Sequence, residues 1–205
     1  MHMPGPRAPK EKRRQQIVSA AYEVALRRGI DGVTLRAVAA KAGLSHGLVV
    51  FYFKQRDQLI SALLDRVLAT STMLDVAEQA TQMPNGPERL RALLRQELGR
   101  LTRDPRATRL FYECWALGVQ RPAIRRRIGA ALERYRAAFT EMAEGLVPTG
   151  SAQSPNVTPV GLAAVAVSLI SGFAVQTIID PEQFDTTAYL VAVEALIERL
   201  TPAPS

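Results

Sequence analysis

This sequence of 205 residues is poor in the side chains that build disulfides and metal sites. It has one cysteine, Cys114, and two histidines, His2 and His46. A single cysteine excludes an internal disulfide framework, and these three residues cannot form a convincing zinc cluster. We therefore expect no metal and no cofactor. A lone thiol fits a reducing cytosol, and a chain of this length buries enough surface to fold without such staples.

Lysine is absent after residue 54, and the positive charge of the chain is unevenly spread. Residues 1–60 hold 11 Lys and Arg against four Asp and Glu, whereas residues 61–205 hold 15 of each kind. The whole net charge of +7 therefore lies in the first third of the chain. This asymmetry favours a head that faces a polyanion and a neutral body, although a solvated basic surface would give the same count.

The N-terminus lacks the apolar segment of a secretory signal, and we expect residues 1–9 to form a flexible arm. One uncharged run, Val160–Ile179, is long enough to span a membrane. It contains Ser168, Gln176 and Thr177, and no basic cluster flanks it. A helix buried in a core or in a dimer interface gives the same run. We favour that interpretation, and with it a cytoplasmic protein without a membrane partner.

Strand patterns are also missing, since no stretch shows sustained alternation of apolar and polar residues. The 3.6-residue period instead predicts an all-α fold of about nine helices. The predicted helices span Lys10–Arg28, the segment after Thr34 to Ala42, His46–Phe51, a stretch through Leu59 to about Ala80, Glu88–Thr102, Ala107–Gly118, Pro122 to about Leu146, Pro159–Ile179 and Thr186–Leu200.

Residues 34–53, TLRAVAAKAGLSHGLVVFYF, have the pattern of a helix-turn-helix. The alanines of the first helix allow a partner helix to pack closely, and Gly43 permits the sharp turn that follows. The second helix begins with Ser45, His46 and Gly47, which are short or polar residues that can reach base edges. The pattern therefore predicts a DNA-binding element near the N-terminus.

The stretch from Arg13 to Leu63 resembles the DNA-binding domain of the tetracycline-repressor (TetR) family of bacterial regulators. The resemblance is carried by Arg14-Gln15-Gln16-Ile17, Ala20-Ala21, Gly29, Thr34-Leu35-Arg36, Val38-Ala39, Ala42-Gly43, Ser45, Gly47, Tyr52-Phe53, Arg56 and Leu59. It implies an all-helical homodimer that represses transcription. The head, residues 10–57, would bind double-stranded operator DNA, and the body, residues 58–205, would bind an effector and dimerise.

The resemblance also implies which residues face the DNA. Arg36 matches a position that reads or flanks bases, and His46–Leu48 match the start of the recognition helix. Lys54 and Arg56 match cations that contact phosphates. The expected DNA-contacting residues are Thr34, Arg36, Ser45, His46, Gly47, Leu48, Val50, Phe51, Tyr52, Lys54 and Arg56.

Apolar positions of the second helix have different expected roles. Val50 stands where the family has a Tyr, so a phosphate hydrogen bond is lost and a contact to a thymine methyl group can replace it. Phe51 and Tyr52 match aromatic positions near the DNA backbone and thymine methyl groups. Val49 and Phe53 are better explained as the core of the small head.

The body resembles the branch of the family that contains betaine-synthesis repressors. The resemblance rests on Phe111 and Trp115 followed by Arg121-Pro122, on Ser171-Gly172-Phe173 and on Ile179-Asp180-Pro181. This branch does not by itself indicate a choline-type ligand. The architecture of the whole family implies a cavity among the fifth to eighth helices, and the aromatic and methionine residues expected there favour a small apolar or amphipathic effector. The expected lining residues, any of which can instead be plain core, are Leu94, Leu98, Phe111, Trp115, Tyr135, Phe139, Met142, Phe173 and Gln176.

Two further residues of the body have alternative roles. Glu97 lies at the edge of a leucine stripe, where we favour a surface carboxylate over a partner for a cationic effector. Cys114 is better explained as a buried structural thiol than as an oxidant sensor.

The eighth and ninth helices are expected to form the dimer interface. Small residues on the eighth helix allow close approach, and two copies of each helix would make a four-helix bundle around a two-fold axis. The expected interface residues are Gly161, Ala164, Val167, Ser168, Ser171, Val193 and Leu196.

Two other function classes remain as alternatives. The sequence has no nucleophile motif, phosphate-binding loop or metal-ligand cluster, so we expect no catalytic residues and no enzyme. A membrane-anchored regulator would use Val160–Ile179 as its anchor. The sequence favours a ligand-responsive DNA-binding repressor.

Overall fold

The structure, a computed structural model, describes residues 9–70, 87–144 and 157–200. These residues contain nine α-helices and no strand, which confirms the expected all-α fold. A short 3₁₀ turn, Ile30–Gly32, follows the first helix. The helices are α1 Lys10–Arg28, α2 Leu35–Ala42, α3 His46–Tyr52, α4 Arg56–Thr70, α5 Pro87–Arg103, α6 Pro105–Gln120, α7 Pro122–Glu144, α8 Pro159–Ile179 and α9 Thr186–Leu200.

The helix ends agree well with those expected from the sequence. Both α8 and α9 begin and end at the expected residues, because proline and threonine mark their starts clearly. The turn Ile30–Gly32 was not expected, since three residues carry no periodic signal. Residues 1–8 of the arm expected at 1–9 lie outside the described residues, as do the expected extensions of the fourth helix to Ala80 and of the seventh to Leu146.

The chain divides into two compact units. The first comprises Met1–Thr70 and Leu110–Arg125, and the second comprises Ser71–Arg109 and Arg126–Ser205. Helix α6 therefore begins in the second unit and ends in the first, whereas α7 begins in the first and continues in the second. The division expected from the sequence, between residues 57 and 58, separates a DNA-binding part of the chain from an effector-binding part. It describes function and not compact packing units, and it stays a prediction.

In the first unit, α1 packs against α2 and α4, and α2 packs against α3. The apolar residues of α1 recur every three or four positions, so they form one buried face. This face consists of Ile17, Val18, Ala20, Ala21, Val24 and Ala25. Val49 and Phe53 are also buried, which confirms that they belong to the core of the head. The guanidinium of Arg14 lies 5.2 Å from the ring centre of Phe53.

Side-chain caps fix the starts of α2 and α3. The Thr34 hydroxyl accepts a hydrogen bond from the Ala37 amide at 3.1 Å, and the Ser45 hydroxyl accepts one from the Leu48 amide at 3.2 Å. Each bond satisfies a backbone donor that a helix start leaves open. Gly43 ends α2 with a φ of 66°, in the left-handed region that favours glycine. The expected capping roles of Thr34 and Ser45 are confirmed.

Two charged side chains hold the turn that joins α1 to α2. Arg56 of α4 donates one hydrogen bond to the Val33 carbonyl at 2.8 Å and another to the Ile30 carbonyl at 2.7 Å. Glu113 of α6 accepts a hydrogen bond from the Ile30 amide at 2.7 Å. We call this set of three hydrogen bonds, made by Arg56 and Glu113 to the backbone of Ile30 and Val33, the turn clasp. It fixes the Ile30 peptide groups from two helices that are distant in sequence.

In the second unit, α5 packs against α8 and α9, and α9 packs against α8. Arg95 of α5 donates to Glu194 of α9 at 2.5 Å. The Tyr189 hydroxyl of α9 donates to the Leu169 carbonyl of α8 at 2.7 Å. The ring of Phe173 lies 5.3 Å from that of Tyr189. These two hydrogen bonds and the contact between the aromatic rings therefore hold α9 against α5 and α8.

Replacing Arg56 with Met should lower the free energy of unfolding by about 1.5–3 kcal/mol. The change removes two hydrogen bonds from a charged donor and leaves two carbonyls of the turn without it. Urea denaturation followed by circular dichroism measures the loss. Arg36→Met, at an exposed position of α2, is the matched control and should change stability by about 0.5 kcal/mol or less. Equal losses in the two variants would contradict the role of the turn clasp.

Candidate functional site

One face of α3, the helix expected to recognise DNA, is open to solvent. Val49 lies buried on the inner face, whereas His46 and Gly47 at the start of the helix are exposed. Phe51, one turn after Gly47, is 70% exposed. The Phe51 ring meets the ring of Tyr52 edge-on at 5.4 Å between centres, but most of its surface stays open to solvent, so this face is available to an external partner.

Gly47 leaves free space on the exposed face of α3. A Cβ atom built at this position would meet no heavy atom within 4 Å. Glycine costs a helix about 1 kcal/mol relative to alanine, and packing within the chain does not demand it here. A bare backbone at this point therefore suits the close approach of another molecule.

Two cationic side chains lie before and after α3 in the chain. Arg36 of α2 and Lys54 after α3 are exposed, and the Lys54 amide is held by the Gln58 side chain at 3.0 Å. Thr34, Ser45, His46, Gly47 and Phe51 are exposed as well, whereas Leu48, Val50 and Tyr52 are half-buried. The structure thus brings the expected DNA-contacting residues together on one helix-turn-helix.

Arg56 differs from the other expected contacts. Its guanidinium donates two hydrogen bonds in the turn clasp and lies 3.7 Å from Asp31. The sequence pattern missed this structural role, because the carbonyls that Arg56 binds lie 23 and 26 residues before it. A phosphate contact by Arg56 stays a prediction.

The residues expected to line the effector cavity fall in different units. Phe111 and Trp115 belong to the first unit and are half-buried, and their ring centres lie 5.9 Å apart. Tyr112, which the sequence analysis did not select, stacks on Trp115 at 5.3 Å. Gln176 is exposed on α8. The remaining members are buried in the second unit: Leu94, Leu98, Tyr135, Phe139, Met142 and Phe173.

Glu97 corrects the interpretation of the α5 stripe. It is 0% exposed, so the preferred assignment to a surface carboxylate is wrong. The buried face of α5 includes Leu93 as well as Leu90, Leu94, Leu98 and Leu101, and Glu97 lies in its middle rather than at its edge. Glu97 forms a salt bridge with Arg100, one turn later. The second unit therefore holds a buried carboxylate beside its apolar core.

Cys114 is buried, as the sequence analysis favoured. Burial raises the pKa of its thiol to about 12, and the carboxylate of Glu113 adds to the shift. Because the thiolate is the reactive form, a thiol with this pKa stays protonated and unreactive at neutral pH. The environment of Cys114 fits a structural residue and not an oxidant sensor.

A cavity of about 400 Å³ lies in the first unit. It is lined by residues 28–31 at the end of α1 and by Glu113, Ala116, Leu117 and Gln120 of α6. None of the residues expected to contact an effector lines this cavity. Its walls carry charges of both signs, and they include the Glu113 side of the turn clasp.

The exposed and buried residues of α8 separate into two faces. Ala163, Ala166, Val167, Ile170, Phe173 and Ala174 are buried in the chain's own core. The opposite face carries exposed Val160, Val165, Val175 and Ile179 beside exposed Gly161, Ala164 and Ser168. On α9, Val193 is buried, whereas Val191 and Leu196 are exposed. Val167 and Val193 therefore lie on the faces buried within the chain, and their expected role in the dimer interface stays a prediction.

Comparison with known proteins gives two family matches. Residues 17–63 match the model described as "Bacterial regulatory proteins, tetR family". Residues 87–202 match the model described as "BetI-type transcriptional repressor, C-terminal". The second match alone covers more than half of the chain.

Individual relatives agree with these matches over most of the chain. An uncharacterised HTH-type transcriptional regulator in the dhlA 5' region of Xanthobacter autotrophicus is 30% identical over 174 residues, which are 84% of this chain and 83% of the relative. The HTH-type transcriptional regulator BetI of Burkholderia thailandensis is 27% identical over 192 residues, which are 93% and 94% of the two chains.

Solved structures share the fold. A transcriptional regulator from Rhodococcus sp. Rha1 superposes with a TM-score of 0.74 at 18% identity and covers 93% of this chain and 99% of its own. A regulator from Saccharomonospora viridis in complex with choline superposes with a TM-score of 0.74 at 20% identity and covers 92% of this chain and 97% of its own.

Proposed function

This chain belongs to the tetR family of bacterial regulatory proteins and carries a BetI-type C-terminal region, and we propose that it represses transcription as a homodimer on palindromic operator DNA. The observation that carries the proposal is the exposed face of α3, where His46, Gly47 and Phe51 lie open to solvent on a helix that the buried Val49 anchors. A helix of this size fits the major groove, where base edges can be distinguished.

Each exposed residue of the head has a distinct proposed role. His46 hydrogen-bonds a base edge, Gly47 brings the backbone close to the DNA, and Phe51 packs against thymine methyl groups. Arg36 contacts a base or a phosphate from α2. Lys54 neutralises a phosphate and therefore adds affinity without sequence preference. The proposed interface thus separates residues that specify the operator from residues that attract any DNA.

Replacing Gly47 with Ala should change stability and DNA binding in opposite directions. A methyl group here meets no heavy atom of the protein within 4 Å, so the helix gains about 0.4–1 kcal/mol. The same methyl group occupies space that the DNA needs, and operator affinity should fall at least tenfold. Urea denaturation and fluorescence anisotropy with operator and random duplexes measure the two effects.

Gly129→Ala in α7 is the matched control for this test. A Cβ atom at Gly129 also meets nothing within 4 Å, so it should stabilise the chain similarly and leave operator binding unchanged. If Gly47→Ala binds the operator as tightly as the wild type, α3 does not approach the DNA through Gly47.

The dimer is proposed to form through the exposed faces of α8 and α9. Of the nine large hydrophobic side chains that the structure describes as exposed, six lie on these two helices. Contiguous apolar surface of this kind marks an interaction site. Two copies of each helix, paired around a two-fold axis, would cover it. The proposed interface keeps Gly161, Ala164, Ser168, Ser171 and Leu196 from the sequence analysis and adds Val160, Val165, Val175, Ile179 and Val191.

Val165→Glu should convert the dimer to a monomer, because a carboxylate would be buried without a partner in the interface. Sedimentation velocity measures the mass, and anisotropy measures the accompanying loss of operator affinity. Val119→Glu is the control, since Val119 on α6 is 69% exposed, much like Val165 at 56%, and lies outside the proposed interface. A monomeric Val165→Glu variant with full operator affinity would refute the homodimeric complex.

The effector is proposed to be an amphipathic organic molecule that binds in the second unit. Tyr135, Phe139 and Met142 of α7 are buried there, and they supply an apolar and aromatic surface for the body of the molecule. Glu97 is a buried carboxylate paired with Arg100, and a cationic group of the effector would replace or share this partner. The choline in the similar structure from S. viridis is a cation of this kind.

Choline is therefore the first probe to test, and it should lower operator affinity at least tenfold. A tenfold effect corresponds to about 1.4 kcal/mol of coupling between the two sites. Glu97→Gln should weaken choline binding in calorimetry and abolish the release of DNA. Glu88→Gln, on the exposed side of α5, is the control. Wild-type protein that binds operator but ignores choline would refute the cationic effector and leave the DNA-binding function intact.

Two other aspects of the proposal concern location and chemistry. Helix α8 is the one described helix that is long and apolar enough to cross a membrane, and 33% of its most apolar window is buried. A dimer interface accounts for the rest of its apolar surface, so the protein is proposed to be cytoplasmic. Transcriptional regulators of this family are not enzymes, and we propose no catalytic activity for this chain.

A further inference from the structure

We propose that Glu113 is a positioning residue that fixes the DNA-binding head on helix α6 and thereby sets the orientation of the recognition helix. The inference deepens the proposed function and rests on it for the DNA-binding readout. No residue of the head's own sequence pattern points to Glu113, because it lies 83 residues after its hydrogen-bond partner.

Glu113 holds the backbone of Ile30 through a short hydrogen bond. The carboxylate of Glu113 accepts from the Ile30 amide at 2.7 Å. Ile30 is the first residue of the 3₁₀ turn, so its amide is a donor that the turn itself leaves open. The carbonyl of the same residue is held by Arg56 of α4. The amide of Ile30 is therefore bound by α6, and its carbonyl is bound by α4.

The backbone before the turn is shaped for the approach of Glu113. Gly29 has a φ of 69°, which L side chains rarely adopt, and a Cβ atom there would lie 3.1 Å from both carboxylate oxygens of Glu113. Contacts this short would force the carboxylate to shift. Glycine at this position thus permits the backbone conformation that ends α1, and it leaves room for the carboxylate of Glu113.

A second tie acts at the other end of the same helical segment. Arg121, directly after α6, donates to Asp57 in the first turn of α4 at 2.9 Å. Residues 110–125 accordingly cluster with the head and not with the first residues of their own helix. The Arg121–Asp57 pair is open to solvent and contributes little, so the part-buried hydrogen bond of Glu113 is the stronger of the two ties.

Helix α6 is continuous across the boundary between the two units. This helix crosses from the second unit to the first between Arg109 and Leu110. Its second half carries Glu113, so the hydrogen bond to Ile30 fixes the Ile30–Gly32 turn on α6. The turn joins α1 to α2, and α2 packs against α3, so its position sets the direction in which the recognition helix faces the DNA.

The test measures the orientation of the head in the full-length chain. Spin labels at Ala40→Cys in α2 and Arg136→Cys in α7, two exposed positions in different units, report a distance by pulsed electron paramagnetic resonance. Dilution with unlabelled protein restricts the signal to one protomer. Buried Cys114 stays unlabelled because its thiol is protonated. Operator and random-duplex affinities are measured in parallel on unlabelled protein.

Glu113→Ala should at least double the width of the distance distribution and lower operator affinity at least tenfold, with little change on random DNA. Glu113→Gln should stay within threefold of the wild-type affinity, since its amide oxygen still accepts from Ile30. Arg121→Gln, which removes only the solvent-exposed tie, should widen the distribution less. Glu133→Ala, at an exposed position of α7, should change nothing.

An unchanged distribution in both Glu113→Ala and Arg121→Gln would overturn the inference, whatever the affinities. A distribution that widens in Glu113→Ala but not in Glu113→Gln supports it even if the Ala variant is less stable. Failure of the wild-type chain to bind any operator would instead refute the proposed function, because the distance measurement does not depend on DNA or on the dimer.

Discussion

The hydrogen bonds to the backbone of Ile30 and Val33 are the constraint on which the arrangement of the head depends. Hydrogen bonds to charged partners contribute about 1.5–3 kcal/mol each, and three of them converge on one short turn. The helices of the head are short, since α2 has eight residues and α3 has seven. Helices of this length are not stable alone. Their orientation is set by the caps, by the buried Val49 and Phe53, and by the turn that α1 and α2 share.

Rigid placement of α3 matters because its exposed face is chemically sparse. His46 and Tyr52 are the two residues of α3 whose side chains carry hydrogen-bonding groups, and the other five are Gly, Leu, Val, Val and Phe. A surface of this kind reads DNA by shape and by contacts to methyl groups as much as by hydrogen bonds. Such contacts require a fixed distance between backbone and DNA, and the proposed function assigns to Gly47 the role of permitting that distance.

The sequence predicted the helices well because their signals are local. Thr34 and Ser45 were assigned as caps from residue type alone, and the structure confirms both. The resemblance to the TetR family predicted a DNA-binding head and an effector-binding body, and the comparisons confirm the family. The expected DNA contacts and effector residues remain proposals, although the structure leaves seven of the eleven expected DNA-contacting residues exposed.

Long-range contacts were beyond the reach of the sequence. The bond between Glu113 and Ile30 joins residues 83 positions apart, and a single glutamate on an amphipathic helix gives no hint of a backbone partner in another element. Glu97 was misplaced for a related reason. The sequence shows four leucines at four-residue or three-residue intervals, but the width of the buried face depends on what packs against it, and here it extends over Glu97.

Selection of binding sites from random double-stranded DNA by the full-length protein tests the central claim most directly. The account predicts enrichment of an inverted repeat whose half-sites are related by the two-fold axis of the dimer and separated by about one helical turn or a multiple of it. Two protomers, or a multiple of two, should be present on each selected duplex in sedimentation analysis. Enrichment of a single unrepeated motif bound by one protomer, or no enrichment over random DNA, would contradict it.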